Sequence, residues 1–187
     1  MTHNEPLRDA AQWLAHAFAL LERARADRRS PMRTFALATA QDGRPQARYV
    51  VLRGVDREAH AIQFWTDRRS SKVTQFGEAA ALFWSPKASL QLRLDGPVEM
   101  AGTEDGEVAQ LFDGLPDGAL RDYATHAAPG TLTEGDADAR GGRELARENF
   151  LSCRLVAREA DLVHLGSDRH SRFRYGFRPF EAVEVVP

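Results

Sequence analysis

Arg48–Lys72, RYVVLRGVDREAHAIQFWTDRRSSK, is the stretch on which the fold turns. Its first half alternates as a strand, with Arg48, Val50 and Leu52 facing one way and Tyr49, Val51 and Arg53 the other. The two arginines stand roughly 17 Å apart along such a strand, more than a phosphate spans. That separation suits a ligand with an anionic tail at one end and a polar ring edge at the other. A second strand closes on Trp65-Thr66. The turn Thr66–Lys72 then gathers cations and hydroxyls before a helix expected over Arg69–Phe76. Asp67 or Ser70 is placed to cap that helix, whose free N–H groups favour an anion. Ser70, Ser71 and Lys72 add hydroxyl donors and an ammonium. A lysine there opposes the helix dipole, which points to an anion alongside. The basic cluster Arg68, Arg69 and Lys72 is sized for one small anion. The plainer alternatives are surface arginines in weak ion pairs and a capped surface helix with incidental basic residues.

Outward from this stretch the pattern is mostly strands. Arg33–Thr39 is apolar and partly β-branched, and Asp42-Gly43 is a hairpin signal before Gln46–Arg53. Ala61–Thr66, Ala80–Trp84 and Ser89–Met100 follow, the last two joined across Ser85-Pro86. Leu151–Arg158, Leu162–Leu165 and Ala182–Val186 read as closing strands. Short connections imply an antiparallel sheet, and this many strands imply a small barrel. Helices flank it: an N-terminal one over 6–28, with Leu7, Ala11, Leu14, Phe18 and Leu21 at helical spacing and Pro6 in its first turn. Two others are expected over Glu104–Phe112 and Arg143–Asn149. The fold class is therefore mainly β with flanking helices, α+β, in a single domain over 1–187. The segment 127–142, AAPGTLTEGDADARGG, has little to bury and reads as a flexible loop, with a lid as the sharper alternative.

Composition narrows the function. A chain of 187 residues with 43% hydrophobic and 28% charged residues is an ordinary globular protein. A net charge of −2 without a basic stripe argues against nucleic acid. No apolar run approaches the roughly 20 residues of a membrane span. Gln12 and His16 interrupt the N-terminal apolar stretch, so no secretory leader and a cytoplasmic location are expected. The single Cys153 sits in a strand, FLSCRLV, and reads as an inert buried thiol. Walker, G-x-G-x-x-G and G-x-S-x-G patterns are absent, and the 6 histidines show no metal spacing. No metal site is expected.

Taken in order, the residues resemble the pyridoxamine 5′-phosphate oxidase group of FMN-binding split barrels. Arg48–Arg53 is similar to that family's R-x-V-L-L-K strand, and Asp56 to the aspartate in its next turn. Phe64–Asp67 is similar to F-Y-T-N, and Ser70-Ser71-Lys72 to S-x-K. Phe83-Trp84, Gln91, Gly96 and Glu99 follow its W…R-Q-V-x-V-x-G-x-x-E pattern, and His170–Phe173 its H-D-R-F. The resemblance implies an antiparallel split β-barrel that binds FMN at the interface of a homodimer. It implies that Arg48, Ser70, Ser71 and Lys72 hold the phosphate. Val50, Val51, Leu52, Arg53, Trp65 and Thr66 would line the ring, and Gln91 and Arg172 would reach it from the partner subunit. Arg53 and His170 are the expected substrate contacts. No general base is identified.

The departures fall on the vitamin half of the pattern. The family's Y-F-x-S-R-P reads Leu111–Pro116 here, with Leu111 for tyrosine and Leu115 for the phosphate-gripping arginine. A leucine forfeits a charge-assisted bond worth about 1.5–3 kcal/mol. The glutamine and serine expected near Thr125–Ala128 are missing. The tryptophan expected near Leu165 is missing too. The chain resembles the shorter branch of the group, which shares Glu148-Asn149-Phe150. An FMN-dependent oxidoreductase acting on a small molecule other than pyridoxamine 5′-phosphate is the implied function. A non-catalytic flavin carrier or sensor, and a haem-handling split barrel with His164 or His170 as axial ligand, are the alternatives.

Overall fold

The computed structural model describes residues 9–132 and 139–187. Helix α1, Ala10–Ala26, starts where the Asp9 carboxylate accepts a hydrogen bond from the Gln12 N–H at 2.8 Å. Its buried stripe is Trp13, Leu14, Ala17, Phe18, Leu21 and Ala24, whereas Ala11 is exposed. The expected first turn at Pro6 and Leu7 lies outside the described residues.

Strands β1 (Thr34–Gln41) and β2 (Arg44–Val51) form the predicted hairpin. Asp42 and Gly43 join them with φ of 50° and 73°, the left-handed pair that matches strand twist in a two-residue turn. Then come β3 (Gly54–Asp56), β4 (Ala61–Asp67), β5 (Glu78–Ser85) and β6 (Leu90–Gly102). Helices α2 (Gly106–Asp113), α3 (Asp117–Leu120) and α4 (Arg143–Asn149) precede β7 (Phe150–Val156), β8 (Glu159–Leu165), β9 (His170–Phe177) and β10 (Phe180–Val185).

All named pairings are antiparallel. The sheet forks on β6. Leu90–Asp95 pair with β8, leading on to β9 and β10, while Val98–Gly102 pair with β7, leading on to β4 and β3. Gly96 sits at the fork, where an added Cβ would lie 2.1 Å from the Val156 carbonyl oxygen. The Arg53 N–H donates to the Gln63 carbonyl at 2.7 Å, so the end of β2 touches β4 without extending the ladder. The result is an open antiparallel split β-barrel with flanking helices.

Two apolar clusters hold it together. The larger fills the barrel, where Phe35 meets Phe83 at 4.7 Å and Phe64 at 5.9 Å between ring centroids. Each fully buried phenylalanine contributes about 1.5–3 kcal/mol. The smaller gathers Val108, Phe112, Leu120, Tyr123, Ala146 and Phe150 outside β4 and β7, with Trp65 packed against it. Cys153 is fully buried, and burial pushes its thiol up to about 12. It is protonated at neutral pH, as expected of an inert thiol.

Three sequence expectations need correction. Arg69–Phe76 is no α-helix: only Ser71–Gln75 coils, as a 3-10 turn without a side-chain cap. The Asp67 carboxylate instead accepts the Arg69 N–H at 2.8 Å in a local turn. Strand β9 went unassigned in the sequence, although Phe173, Tyr175 and Phe177 alternate inward along it. The strand β3 and the short helix α3 were also missed.

Imidazoles are packed into this frame as neutral rings. His60 stacks on Phe177 at 3.9 Å, and His164 lies 4.5 Å from Trp13, which His16 meets edge-on. Burial is the main force lowering the pKa of His16, His60 and His164 below the ordinary 6.5. The unfolded chain binds protons that these folded sites refuse. Stability is therefore expected to be full above pH 6.5 and to fall as pH drops from there through the folded values. Urea midpoints across pH 4.5–7.5 check this, and a midpoint that rises on acidification contradicts it.

Candidate functional site

The inner face of β2 at the open end of the barrel carries Arg48. Its Nη1 donates to Thr39 Oγ1 at 2.7 Å and to the Leu37 carbonyl at 3.3 Å, and its Nη2 to Gln75 Oε1 at 2.7 Å. Gln75 ends the same 3-10 turn that presents Lys72. Lys72 Nζ donates to Thr66 Oγ1 at 2.8 Å and Ser70 Oγ at 2.7 Å. Both cations thus lean on one short turn, and every acceptor they touch is neutral. Among the described residues neither forms an ion pair. Burial, then the Arg48 charge, depresses the Lys72 pKa, and burial depresses that of Arg48. Two partly desolvated cations without a counter-ion make a cradle for a small anion of more than one negative charge.

The rest of the expected basic cluster is not available. Arg69 makes a two-pronged pair with the buried Asp67 and also donates to the carbonyls of Thr125 and His126. The Asp67 hydrogen bond raises its pKa. Arg68 is paired with Glu104 at 2.9 Å. Arg69 therefore ties the turn to the base of the segment 127–142. That base is further pinned where the Gly141 N–H donates to Ala124 and the His126 N–H to Ala139. Residues 133–138, within the expected flexible loop, lie outside the described residues.

The other predicted residues divide between faces. Val50 and Leu52 are in the core, so only their backbone is free to meet a ligand, while Val51 is half-buried on the outer face. Thr66 points inward to Lys72, whereas Trp65 points outward to Phe150, with ring centroids 5.5 Å apart. Arg53 lies over Trp65 at 4.3 Å from the ring centroid. Ser71 is exposed on the turn. Gln91 and Arg172 share a cross-strand row with Trp84 and Val163 on the outer face of the sheet, opposite to Arg48. Arg172 grips Asp161 through two hydrogen bonds of 2.8 and 3.0 Å. His170 opens β9, exposed. Trp84 is 42% exposed, and the adjacent row adds Tyr49, 80% exposed, and Leu82 at 39%. That outer face therefore sets exposed aromatic and leucine side chains beside the charged Arg93, Asp161 and Arg172.

Sequence reasoning missed Thr39 and Gln75, the neutral partners of Arg48, and Tyr123, whose buried phenol is pushed up to about 12 against the pull of Arg53. Two clefts open elsewhere, about 500 Å³ beside Gly54, Gln63 and Arg154, and about 310 Å³ beside Asp117, Arg121 and Gly142. Neither is lined by Arg48 or Lys72. Among the described residues no cluster of His, Cys, Asp and Glu is arranged to hold a metal, and no helix is long and apolar enough to cross a membrane.

An open antiparallel split barrel with an anion cradle at its mouth defines a class of small cofactor-binding domains, and comparison with known proteins agrees. The family model for the pyridoxamine 5′-phosphate oxidase FMN-binding domain matches residues 10–102. A pyridoxine/pyridoxamine 5′-phosphate oxidase of Burkholderia lata is 35% identical over 78 residues, 40% of this chain. The match spans only 36% of that relative's length. A pyridoxamine 5′-phosphate oxidase-related, FMN-binding protein of Nostoc punctiforme superimposes with a TM-score of 0.76 at 23% identity, covering 96% of this chain and 100% of its own. PhzG of Burkholderia lata, solved with tetrahydrophenazine-1-carboxylic acid, gives 0.71 at 23% identity, covering 98% and 95%. At these identities the two structures establish fold alone. Residues 10–102 belong to the pyridoxamine 5′-phosphate oxidase FMN-binding domain family, and the chain as a whole has the split-barrel fold.

Proposed function

We propose that this chain binds FMN as a cytoplasmic homodimer and is an oxidoreductase for a small molecule other than pyridoxamine 5′-phosphate. The observation that carries the proposal is the Arg48–Lys72 cradle, whose two cations meet only neutral acceptors. That donor set fits a phosphate monoester, with the Ser70 and Ser71 hydroxyls beside it. In this reading Thr66 and Ser70 orient the Lys72 ammonium, and Gln75 and Thr39 orient the Arg48 fork. The backbone of Val50, Val51 and Leu52 runs along the ring. FMN supplies a hydride-accepting ring at such a site.

Two features support a second copy of the chain. Gln91 and Arg172 lie on the face opposite to the cradle, so they reach a flavin only as residues lent to a partner. The exposed Tyr49, Leu82 and Trp84 on that face give the partner an apolar surface to cover. The non-catalytic carrier reading draws on Leu111 and Leu115, which pack apolar chains where a substrate phosphate would need donors. Of the two axial-ligand candidates of the haem-handling reading, His164 is packed against Trp13, which leaves it only the exposed His170.

The visible spectrum of the protein as purified, read across a gel-filtration peak, tests the proposal. Flavin bands co-eluting at the dimer mass are expected, with reduction by a nicotinamide nucleotide and reoxidation separating an oxidoreductase from a carrier. A Soret band, or protein that stays colourless after FMN is added, overturns it.

A further inference from the structure

Arg48 is held in place without being neutralised. Its Nη1 donates to Thr39 Oγ1 at 2.7 Å and to the Leu37 carbonyl at 3.3 Å, and its Nη2 to Gln75 Oε1 at 2.7 Å. Thr39 Oγ1 in turn donates to Gln75 Oε1 at 2.8 Å, which closes a ring across the Nη1–Nη2 end of the guanidinium. A guanidinium carries five N–H groups, and these contacts take three of them. The remaining N–H groups, on Nε and Nη2, lie side by side along one edge without a partner among the described residues. That edge is the two-pronged face an arginine offers to a pair of phosphate oxygens.

An arginine only donates, so the Gln75 amide must turn its oxygen to Arg48. Gln41 fixes that choice, because the Gln75 Nε2 donates to Gln41 Oε1 at 2.9 Å. Leu37, Thr39 and Gln41 alternate along one face of β1, with Gln41 its exposed last residue before the hairpin turn. Lys72 and Gln75 stand three residues apart on a 3-10 turn, where such side chains eclipse. A chain of amides thus runs from the tip of the hairpin into the cradle, and each acceptor in it is uncharged. Asp67, the carboxylate whose charge reaches Lys72, is taken up by Arg69.

We propose that Gln41 and Gln75 are positioning residues of the cradle, a neutral relay that turns the Nε–Nη2 edge of Arg48 to the phosphate and leaves its charge uncancelled, so that the site selects a phosphorylated flavin over riboflavin. The inference rests on the flavin reading above. A carboxylate at position 75 would hold the fork at least as firmly, but as an ion pair that cancels the cation and repels the phosphate. An apolar side chain there would leave the fork free to swing. An amide orients the fork and adds no charge, provided that its oxygen stays on the Arg48 side. Gln41 touches no ligand in this reading and acts only by keeping that oxygen there.

The test titrates FMN and riboflavin into the full chain and its variants, followed by flavin fluorescence. Gln75→Glu is expected to weaken FMN about 30-fold or more and riboflavin by less than about threefold. Its urea midpoint without cofactor is expected to equal or exceed the parent's, which separates the loss from misfolding. At position 41 the relay and simple electrostatics predict opposite orders. Gln41→Glu keeps an acceptor for the Gln75 amide and is expected to hold FMN within about twofold of the parent. Gln41→Lys offers only donors, frees the amide to turn over, and is expected to weaken FMN about threefold to tenfold. A cation that merely attracted phosphate through space would tighten it. FMN bound as well by Gln41→Lys as by Gln41→Glu overturns the relay, as does a Gln75→Glu loss shared equally by riboflavin. A parent chain that takes up neither flavin sinks the flavin reading instead. Inorganic phosphate then tests the relay, which expects phosphate to raise the parent's urea midpoint above that in chloride of equal ionic strength and to leave that of Gln75→Glu unmoved; equal rises, or none, overturn it.

Discussion

Lys72→Met is expected to weaken FMN binding by about 2–5 kcal/mol while leaving the cofactor-free protein within about 1 kcal/mol of the parent. The two effects have different origins. With the phosphate in place, Lys72 is half of a desolvated charge pair, and its removal strands phosphate oxygens against Thr66 and Ser70, which are left with hydroxyls only. Without the phosphate, the ammonium is an uncompensated cation held beside Arg48 and partly out of water. Burial and Arg48 lower its folded pKa below the ordinary 10.5, so its cost is fully present below the folded value and fades as pH rises past it. Deleting that charge at neutral pH relieves the cost, which offsets two lost hydroxyl bonds worth about 1 kcal/mol each. Flavin fluorescence titration reads the first effect and urea melts without FMN the second. Arg48→Met is expected to behave alike through loss of the contacts to Thr39 and Gln75. Unchanged FMN affinity in both variants would remove the phosphate from this cradle.

The contrast between the uncompensated Arg48 and Lys72 and the paired Arg68 and Arg69 also shows how much of the molecule could be read before its structure. Asp42-Gly43 announced its hairpin because a two-residue turn needs positive φ, a local demand written in local residues. Arg48, Thr66, Ser70 and Lys72 were legible as an anion site because two short segments carry nearly all of it. Thr39 and Gln75 were not. Their role depends on the register that sets Leu37 opposite Arg48 and on a turn folding back across β1. Arg68 and Arg69 looked equivalent to Lys72 in sequence. Glu104 and Asp67 remove them, and only folding reveals that competition. The failed helix at Arg69–Phe76 has the same cause: Asp67 takes the Arg69 N–H into a turn, so the chain coils for only Ser71–Gln75. Strand β9 was overlooked although its inward Phe173, Tyr175 and Phe177 alternate cleanly, because His170–Phe173 was read as the H-D-R-F motif and not as the start of a strand. Tyr123 carried no local signal at all; a 3-10 turn brings it against Phe150.

Gly96 was legible only as a family glycine, and the fork of the sheet supplies its physical reason. Gly96→Val is expected to cost about 3 kcal/mol or more, at the upper end of what overpacking does. The neighbours that an added Cβ would meet are all main chain: the Val156 carbonyl oxygen at 2.1 Å, its carbon at 3.0 Å and the Ala157 Cα at 3.1 Å. No side chain can rotate away to make room. The adjacent backbone is bonded on both sides, the Arg158 N–H donating to the Asp95 carbonyl at 2.8 Å and the Ala157 N–H to the His60 carbonyl at 3.1 Å. Relief must therefore come from separating β6 from the turn between β7 and β8. Gly118→Ala is the matched control: a Cβ there meets nothing within 4 Å in helix α3, so urea midpoints should stay equal to the parent or rise slightly. A Gly96→Val midpoint equal to that of Gly118→Ala would show that the fork tolerates a side chain. Because the fork sets the face carrying Gln91 and Arg172 against the one carrying Arg48, milder Gly96→Ala protein that remains folded is expected to lose FMN affinity as well as stability. Intact affinity in a destabilised variant would confine the glycine's role to packing.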